Sequence, residues 1–427
     1  MAELTRKLYD EDPYAKEFKA QIRSAERTKK GWKLVLDQTM FFPEEGGQDC
    51  DTGILEAVNA AYGTAECAEG KKAAVFCVTD VQIHDGVIIH TVIPERTDPS
   101  DMMASDQAAE DFFVPGQEVS GRINWTHRFS NMQNHTGEHI LSGLIHKHFG
   151  YDNVGFHLSP NAVTLDQSGY LDPEKIAVIE RKANEAVWAD LEVSALYYAP
   201  EEAAKKTYRS KIPIEGPVRI VTVEGIDDCA CCAPHVRRTG EIGLIKIVRS
   251  EKYKGGTRIT FVCGDRAYEE SKREQAQVEA VSHLLKAKKE TAAEAVGRLY
   301  EENTALKERI LRLQEEKIRT LTRQAACGQD DENDCILIFT KDLDPIPQRN
   351  LVNLLMEQYE KTAAVFVEDS SGYRFVIGSR TVDCRNVARS LKERFQARGG
   401  GSMQMIQGSV TASADALAEM FKEENHH

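Results

Sequence analysis

The sequence predicts an α+β multidomain protein. We expect a small N-terminal β-barrel, an α/β region, a long helical or coiled-coil segment and a C-terminal α/β domain. The 427 residues, 41% of them apolar, are enough for about two to four domains with separate cores. Alternating apolar and polar residues dominate the first part of the chain, whereas apolar residues at helical spacing dominate later segments. The change from strand-like alternation to helical spacing predicts that the β-barrel precedes the domains that contain helices.

Residues 1–115 contain short alternating stretches such as GWKLVLDQT, separated by Gly, Pro and Asp turns. This pattern is typical of barrel strands. Residues 118–265 change to a mixture of helical and strand patterns. Within them, the sequence around HTGEH predicts one helix, with Thr126 as its N-cap and Gly150 as its C-terminal stop.

Residues 266–325 contain no proline and a single glycine, Gly297, which predicts a long helix or a helical hairpin. Several side chains in this segment follow the spacing of a heptad, with an asparagine on the seam that would fix its register: Val296, Leu299, Asn303, Leu306, Ile310 and Leu313. Residues 330–427 alternate apolar strands with helices. They predict a compact α/β domain with a turn at residues 399–401 before the last helix.

The chain is acidic, with a net charge of -14. This balance argues against a simple nucleic-acid-binding protein, because phosphate contacts need lysine and arginine. Residues 205–219 and 246–258 are locally basic, however, and could form a surface for an RNA end; the alternative is that they are ordinary solvated faces. No stretch approaches the roughly 20 apolar residues of a membrane span, and the first residues lack the apolar core of a signal peptide. We therefore expect a cytoplasmic protein without a membrane partner.

Two pairs of metal-binding side chains are separated by almost a hundred residues. His135 and His139 form one pair at i and i+4, and Cys231 and His235 form the other. Three imidazoles and a thiolate are a ligand set that suits zinc better than magnesium or calcium. The sequence therefore predicts a zinc site. Cys229 and Cys232 also lie close enough to compete with Cys231 as the thiolate ligand.

Four protein ligands would complete a tetrahedral zinc site, whereas catalytic zinc usually keeps one position for water. The sequence leaves open whether all four donors bind at once. HTGEH also matches the H-x-x-E-H motif of inverted zinc proteases, in which Glu138 would be the general base. A zinc metallopeptidase is therefore an alternative function.

Four matches to the alanyl-tRNA editing family, one of them a pair of segments, occur along the chain in the order that the family has. HTGEHILSG and CCAPHVRRTGEIGLIKIV are similar to the paired H-x-x-x-H and C-x-x-x-H motifs of its editing domain. LDQTMFFPEEGGQ, residues 36–48, is similar to the barrel signature D-x-T-x-F-Y-P-x-G-G-G-Q. KGGTRITFVCGDRAYE continues the editing pattern. RGGGSMQMIQGS resembles the glycine-rich loop of the DHH-associated C-terminal domain.

The resemblance implies a free-standing editing protein of the long AlaX type, since no aminoacylation domain precedes the motifs. Its second additional domain would be residues 118–265, and its DHH-associated domain residues 330–427. The implied activity is zinc-dependent hydrolysis of tRNA(Ala) mischarged with Ser or Gly. Residues 266–427 would bind the tRNA body or form a homodimer. A non-catalytic tRNA-binding protein remains a further alternative.

The resemblance also implies which residues act beside the metal. Thr39 and Gln48 match the barrel signature and would line a pocket that reads the serine hydroxyl. Glu138 departs from the HTATH sequence common in synthetases, and it could be a base, a contact to the tRNA end or a solvated helix residue. The family glutamine about twenty residues after the first metal histidine is replaced by GFH at 155–157, where only His157 is a possible substitute.

Overall fold

The computed structural model describes residues 3–57, 74–95, 113–160, 162–210, 213–327 and 334–424. The chain divides into two compact units, Met1–Gln277 and Val278–His427. Each unit combines helices with sheets, so the predicted α+β multidomain class is confirmed. None of the helices in the described part of the chain is long and apolar enough to cross a membrane.

The first unit begins with a closed six-stranded barrel in the order β2-β3-β7-β6-β5-β8, which confirms the predicted N-terminal barrel. A short helix, α1 (Leu8–Glu11), directly follows β1, and β1 pairs in parallel with another short strand, β4. The bounds of the strands are β1 Arg6–Lys7, β2 Glu17–Arg27, β3 Trp32–Leu36, β4 Gln38–Thr39, β5 Gly53–Ala57, β6 Ala74–His84, β7 Val87–Pro94 and β8 Glu118–Ile123.

Alternate side chains of the barrel strands point into its core. In β8 the burial alternates strictly, with Val119 and Ile123 in the core. β8 pairs with both β2 and β5 and so joins the two edges of the sheet. It belongs to the barrel although its residues lie within 118–265, which the sequence analysis grouped with the second domain. The domain boundaries otherwise stay a prediction.

The rest of the first unit packs two sheets around a buried helix, α2 (Trp125–Phe149). The sheets have the orders β14-β15-β10-β9 and β11-β12-β13. The remaining bounds are β9 Asn153–Leu158, β10 Val163–Gln167, α3 Pro173–Trp188, β11 Val193–Tyr198, α4 Pro200–Ala203, β12 Val218–Val223, β13 Asp227–Ala230, a 3-10 turn Thr239–Ile242, β14 Ile245–Tyr253 and β15 Gly256–Cys263.

The helix around HTGEH is confirmed, and Gly150 ends it in the left-handed conformation at φ 69°. The predicted N-cap, Thr126, is wrong. Asn124 caps the helix instead, because its side-chain oxygen accepts a hydrogen bond from the His127 amide, and Thr126 lies inside the first turn.

A buried ion pair joins α2 to the barrel. The Arg128 guanidinium binds the Asp51 carboxylate and also donates to the Met40 carbonyl. Asp51 in turn accepts the Phe42 amide at 2.7 Å. Both charged groups are fully buried, so removing either one would leave an unpaired charge in the core. The pair holds residues 40–51 against the helix that carries HTGEH.

In the second unit, a five-stranded sheet has the order β16-β17-β18-β20-β19. Alternate residues of β17 face two separate cores: Val365 packs with Leu351 on one side, and Phe366 packs with Leu391 on the other. The bounds are α5 Asp265–Leu285 (which crosses the boundary between the units), a 3-10 turn Lys289–Thr291, α6 Ala292–Cys327, β16 Cys335–Thr340, α7 Pro345–Tyr359, β17 Thr362–Asp369, β18 Gly372–Gly378, α8 Cys384–Phe395, β19 Arg398–Gly401, β20 Met405–Val410 and α9 Ala414–Glu424.

The predicted helical segment forms two helices, α5 and α6, separated by the 3-10 turn. Within the second unit, Leu306, Ile310 and Leu313 on α6 are exposed. The coiled-coil interpretation of this face stays a prediction.

The predicted turn at residues 399–401 is wrong, because this glycine run lies in the edge strand β19 paired with β20. A Cβ at Gly401 would come within 2.2 Å of the Met405 carbonyl, and one at Gly408 within 2.1 Å of the Arg398 carbonyl. These glycines therefore allow two strands to approach closely.

Candidate metal centre

The two metal-binding pairs predicted from the sequence converge at one point. The donor atoms of His135, His139, Cys231 and His235 all lie within 4.8 Å of one another. His135 and His139 occupy adjacent turns of α2, and Cys231 and His235 lie in the loop that follows β13. The three histidines are buried and the thiol is half-buried. The fold thus brings together residues from two distant segments.

The distances within this cluster suit a tetrahedral metal. The Cys231 Sγ lies 3.5 Å from Nε2 of His135 and 3.4 Å from Nε2 of His235. Metal–nitrogen and metal–sulfur bonds of about 2.1 and 2.3 Å that meet at a tetrahedral angle separate the two donors by roughly 3.6 Å. The spacing of the donors and their chemistry therefore fit a metal ion.

Each histidine is oriented by a hydrogen bond to its Nδ1 atom. Nδ1 of His135 lies 2.7 Å from Oε1 of Gln48, Nδ1 of His139 lies 3.0 Å from the Asp227 carboxylate, and Nδ1 of His235 lies 3.0 Å from Oγ1 of Thr136. All three partners accept, so each Nδ1 carries the proton and each Nε2 keeps its lone pair for a metal. Such outer contacts fix the tautomer of a metal-binding histidine.

Thr136 can accept this bond because its own proton is already used. Its hydroxyl donates to the Met132 carbonyl at 2.8 Å, one turn earlier in α2. The same oxygen also accepts the Val236 amide. One side chain on the helix therefore positions both His235 and the backbone beside it.

Asp227 connects His139 to a buried cation. The Arg209 guanidinium donates to both oxygens of Asp227 at 2.7 Å and to the Ser142 hydroxyl at 2.7 Å. Burial alone would raise the pKa of the Asp227 carboxyl, but His139 and Arg209 hold it below its usual value. Asp227 is therefore a carboxylate that orients His139.

The electrostatics of the cluster favour a thiolate. Burial opposes the ionisation of Cys231, but the surrounding imidazoles, chiefly those of His135 and His235, bring its pKa well below that of an ordinary thiol. Burial lowers the pKa of His235 to about 3. The neighbouring Cys229 instead has its pKa raised to about 11, chiefly by burial. Cys231 is thus the thiol best suited to bind a metal.

Glu138 is buried beside the cluster and does not lie on a solvated face of α2. Its Oε2 is 3.9 Å from Nε2 of His139, and its Oε1 accepts a 2.6 Å hydrogen bond from Asn153. Asn153 is buried and lies two residues before the GFH segment. It therefore supplies an amide close in sequence to the place where the family glutamine is missing. His157, the possible substitute, is exposed.

The two barrel residues predicted for the site differ in their surroundings. Gln48 contacts a metal-binding histidine directly. The Thr39 hydroxyl is fully buried, lies 2.9 Å from Nε2 of His90 and accepts the Phe41 amide at 3.0 Å. Nδ1 of His90 donates to the Leu34 carbonyl, so its Nε2 accepts the Thr39 proton. Both hydrogen-bonding roles of the Thr39 hydroxyl are therefore used inside the barrel.

Four residues around the cluster were not predicted from the sequence as part of the site: Asp227, Thr136, Asn153 and Arg209. Asp227 lies four residues before Cys231 and Thr136 lies between the paired histidines, which are the only sequence signals for them. The basic surface predicted for residues 205–219 is smaller than the sequence suggests. Arg209 is paired with Asp227, and Arg219 is buried beside Asp10. Lys211, from the same segment, lies outside the described residues.

Comparisons with known proteins identify related chains. The family model of the threonyl and alanyl tRNA synthetase second additional domain matches residues 218–260, which contain Cys231 and His235. An alanine–tRNA ligase of Pyrococcus abyssi is 30% identical over 434 residues, covering 98% of this chain and 43% of that protein. The alanyl-tRNA editing protein AlaX-L of Pyrococcus horikoshii is 30% identical over 267 residues, covering 62% of this chain and 59% of that protein.

The chain spans less than half the length of the alanine–tRNA ligase and 59% of AlaX-L. Among solved structures, the C-Ala domain of alanyl-tRNA synthetase from Aquifex aeolicus is 23% identical and covers 21% of this chain and 87% of that domain, at a TM-score of 0.20. That score is too low to support a conclusion. Residues 218–260 therefore match the second additional domain of threonyl and alanyl tRNA synthetases, and the chain as a whole is similar to alanine–tRNA ligases and to the alanyl-tRNA editing protein AlaX-L.

Proposed function

We propose that the protein is a zinc-dependent aminoacyl-tRNA deacylase that removes serine, and also glycine, from mischarged tRNA(Ala). The observation that carries this proposal is the convergence of His135, His139, Cys231 and His235 in a chain related to alanyl-tRNA editing proteins. Three Nε2 atoms and one thiolate are donors that bind zinc readily. When bound, zinc lowers the pKa of water and polarises an ester carbonyl, which is the chemistry that hydrolysis requires.

Glu138 is the proposed general base. Its Oε2 lies beside the donor cluster, and Asn153 holds the other carboxylate oxygen. The carboxylate would take a proton from the attacking water. Cleavage of the ester bond would then release the free amino acid and the terminal ribose hydroxyl of the tRNA.

The barrel is the proposed source of amino-acid selectivity. A pocket sized for alanine cannot strongly reject serine or glycine, so a second site that reads the serine hydroxyl is needed. Gln48 touches the metal-binding His135 and is the better placed of the two predicted residues. Thr39 would act through the shape of the barrel wall that it shares with His90. The exposed apolar face of α6 is the proposed homodimer contact within residues 266–427.

A metallopeptidase of the H-x-x-E-H type is favoured by one observation, the position of Glu138 against His139. It is disfavoured by the Cys231 and His235 donors, since inverted zinc proteases do not pair their histidines with a C-x-x-x-H motif. Peptide hydrolysis without ester hydrolysis would support that alternative. Binding of tRNA without any turnover would support a non-catalytic role.

The test is hydrolysis of Ser-tRNA(Ala) and Ala-tRNA(Ala) by the zinc-loaded protein, the chelated protein and the chelated protein with zinc restored. We expect rapid loss of serine in the first and third samples and little loss of alanine in any. Equal activity after complete removal of zinc would contradict the zinc-dependent mechanism. Turnover of both substrates at one rate would contradict the proposed selectivity.

A further inference from the structure

The turn of residues 44–48 differs from the family signature at one position. In D-x-T-x-F-Y-P-x-G-G-G-Q three glycines precede the glutamine, whereas this chain has glutamate at the first of them, Glu45. The two glycines that remain, Gly46 and Gly47, adopt φ of 65° and 84°. These are left-handed values that favour glycine. Glu45 therefore replaces one glycine of the signature, while the two glycines that form the tight part of the turn are retained.

The turn is held rigidly against β9. The Leu158 amide donates to the Gly47 carbonyl at 2.7 Å, and the Asp49 amide donates to the Leu158 carbonyl at 3.0 Å. A Cβ at Gly47 would come within 2.3 Å of the Phe156 carbonyl, so only glycine allows this approach. Glu45 and Gln48 also exchange backbone hydrogen bonds of 3.2 and 3.1 Å across the turn. Their side chains are therefore presented from a fixed backbone.

Three polar atoms around this turn are buried without a hydrogen-bond partner among the described residues: Oε2 of Glu45, Nε2 of Gln48 and the hydroxyl of Tyr9. Gln48 and Tyr9 are almost fully buried. A buried polar group without a partner is costly and needs an explanation, such as a ligand. The Tyr9 ring packs edge-on against Phe42, three residues before Glu45, with ring centroids 5.4 Å apart, so all three groups belong to this part of the barrel.

The position of this group relative to the metal centre is defined by two contacts. Oε1 of Gln48 accepts from His135, and a Cβ at Gly46 would lie 3.4 Å from Sγ of Cys232, the residue next to Cys231. Glu45 and Tyr9 offer acceptors, whereas the amide nitrogen of Gln48 offers donors. An α-amino ester has the complementary pattern, because its ammonium group donates and its neighbouring carbonyl accepts.

We propose that Glu45, with Tyr9, binds the α-ammonium group of the aminoacyl ester while Gln48 donates to its carbonyl oxygen. The inference rests on the proposed deacylase function and adds a recognition element that the family signature lacks. It predicts that the protein distinguishes a free amino group from an acylated one. An N-acetylated aminoacyl ester keeps the carbonyl and the side chain but has no ammonium charge.

The test compares Ser-tRNA(Ala) with N-acetyl-Ser-tRNA(Ala) as substrates of the zinc-loaded protein. We expect kcat/KM to be about 10- to 100-fold higher for the free amino ester, as for one charge-assisted hydrogen bond. Glu45→Gln and Glu45→Gly should each remove most of this preference and retain bound zinc. Glu44→Gln is the matched control, because the Glu44 carboxylate accepts a hydrogen bond from Gln82 on the exposed surface and should leave the preference unchanged.

A binding measurement separates this inference from the proposed function. Seryl-3′-amino-3′-deoxyadenosine carries an amide in place of the ester and is not a substrate for ester hydrolysis. Calorimetry should show that it binds about 10-fold or more tightly than its N-acetyl form, and that both Glu45 variants lose the difference. If this binding preference is found but the protein hydrolyses no ester, the result would contradict the deacylase function and support the ammonium site. An undiminished preference in both Glu45 variants, or no preference in the unaltered protein, would overturn the ammonium site.

Discussion

The barrel and the metal centre of the first unit each contain a buried polar cluster. The two clusters differ in how completely their hydrogen-bonding groups are paired. In the barrel, Thr39 and His90 form a closed set in which the hydroxyl and both ring nitrogens have partners. Beside the metal centre, Gln48 has one satisfied and one unpaired amide atom among the described residues. A satisfied cluster stabilises the fold, whereas an incomplete one next to metal-binding residues is suited to a ligand. Thr39 is therefore expected to stabilise the barrel, whereas Gln48 is available to a ligand.

The largest effect is expected from Cys231→Ala, which removes the thiolate from the metal centre. Loss of one of four donors should leave the purified protein with much less than one zinc and reduce ester hydrolysis by at least ~100-fold. Zinc content by mass spectrometry and deacylation of Ser-tRNA(Ala) measure the two effects. Cys77→Ala, on a barrel strand, is the matched control. Full zinc occupancy in Cys231→Ala would point to Cys229 or Cys232 as the ligand.

The barrel cluster should make stability depend on pH. Burial lowers the pKa of His90 to about 4, whereas an unfolded histidine titrates near 6.5. Between these values the unfolded chain binds a proton that the folded chain excludes, so His90 stabilises the fold less as the pH falls from 6.5 to 4. The loss should approach about 3 kcal/mol.

Urea unfolding of the unaltered protein and of His90→Gln, at pH 7 and pH 4.5, measures this effect. Glutamine does not titrate, so the variant should lose less stability on acidification. Because every other ionisable group is common to both proteins, the difference between the two isolates His90. Parallel losses in the two proteins would show that His90 is not excluded from protonation.

Asp227→Asn should weaken the metal centre without removing a donor. The amide cannot hold His139 and Arg209 by charge, so zinc affinity should fall by about 10- to 100-fold. Competition with a chromophoric chelator measures the affinity. Asp228→Asn is the control, since the exposed Asp228 carboxylate contacts Thr222 and not the histidines. Equal affinities in the two variants would contradict the role given to Asp227.

The smallest effect is expected from Thr39→Val, which leaves His90 Nε2 and the Phe41 amide without a partner. The free energy of unfolding should fall by about 1 to 3 kcal/mol. Thermal unfolding gives this value. The ratio of Ser-tRNA(Ala) to Ala-tRNA(Ala) hydrolysis in the same variant tests the selectivity predicted from the barrel signature. If the hydrolysis ratio changes while the stability does not, Thr39 acts in selectivity and not in the stability of the barrel.

The barrel strands, the helix around HTGEH and the two pairs of candidate metal ligands could all be predicted from the sequence, because each depends on local spacing. Alternation with a period of two specifies a half-buried strand, and an i, i+4 pair places two donors on one side of a helix wherever it packs. Gly150 was predicted as a helix end for the same local reason, whereas the cap at Asn124 depended on one hydrogen bond that the spacing did not reveal.

The residues that surround the metal centre depend on the tertiary structure. Gln48 reaches His135 because the buried Arg128–Asp51 pair holds the barrel turn against α2, and Asp227, the first residue of β13, reaches His139. The same packing turned Arg209 and Arg219 inward, away from the predicted basic surface. These contacts join residues far apart in the chain, so no local pattern could specify them.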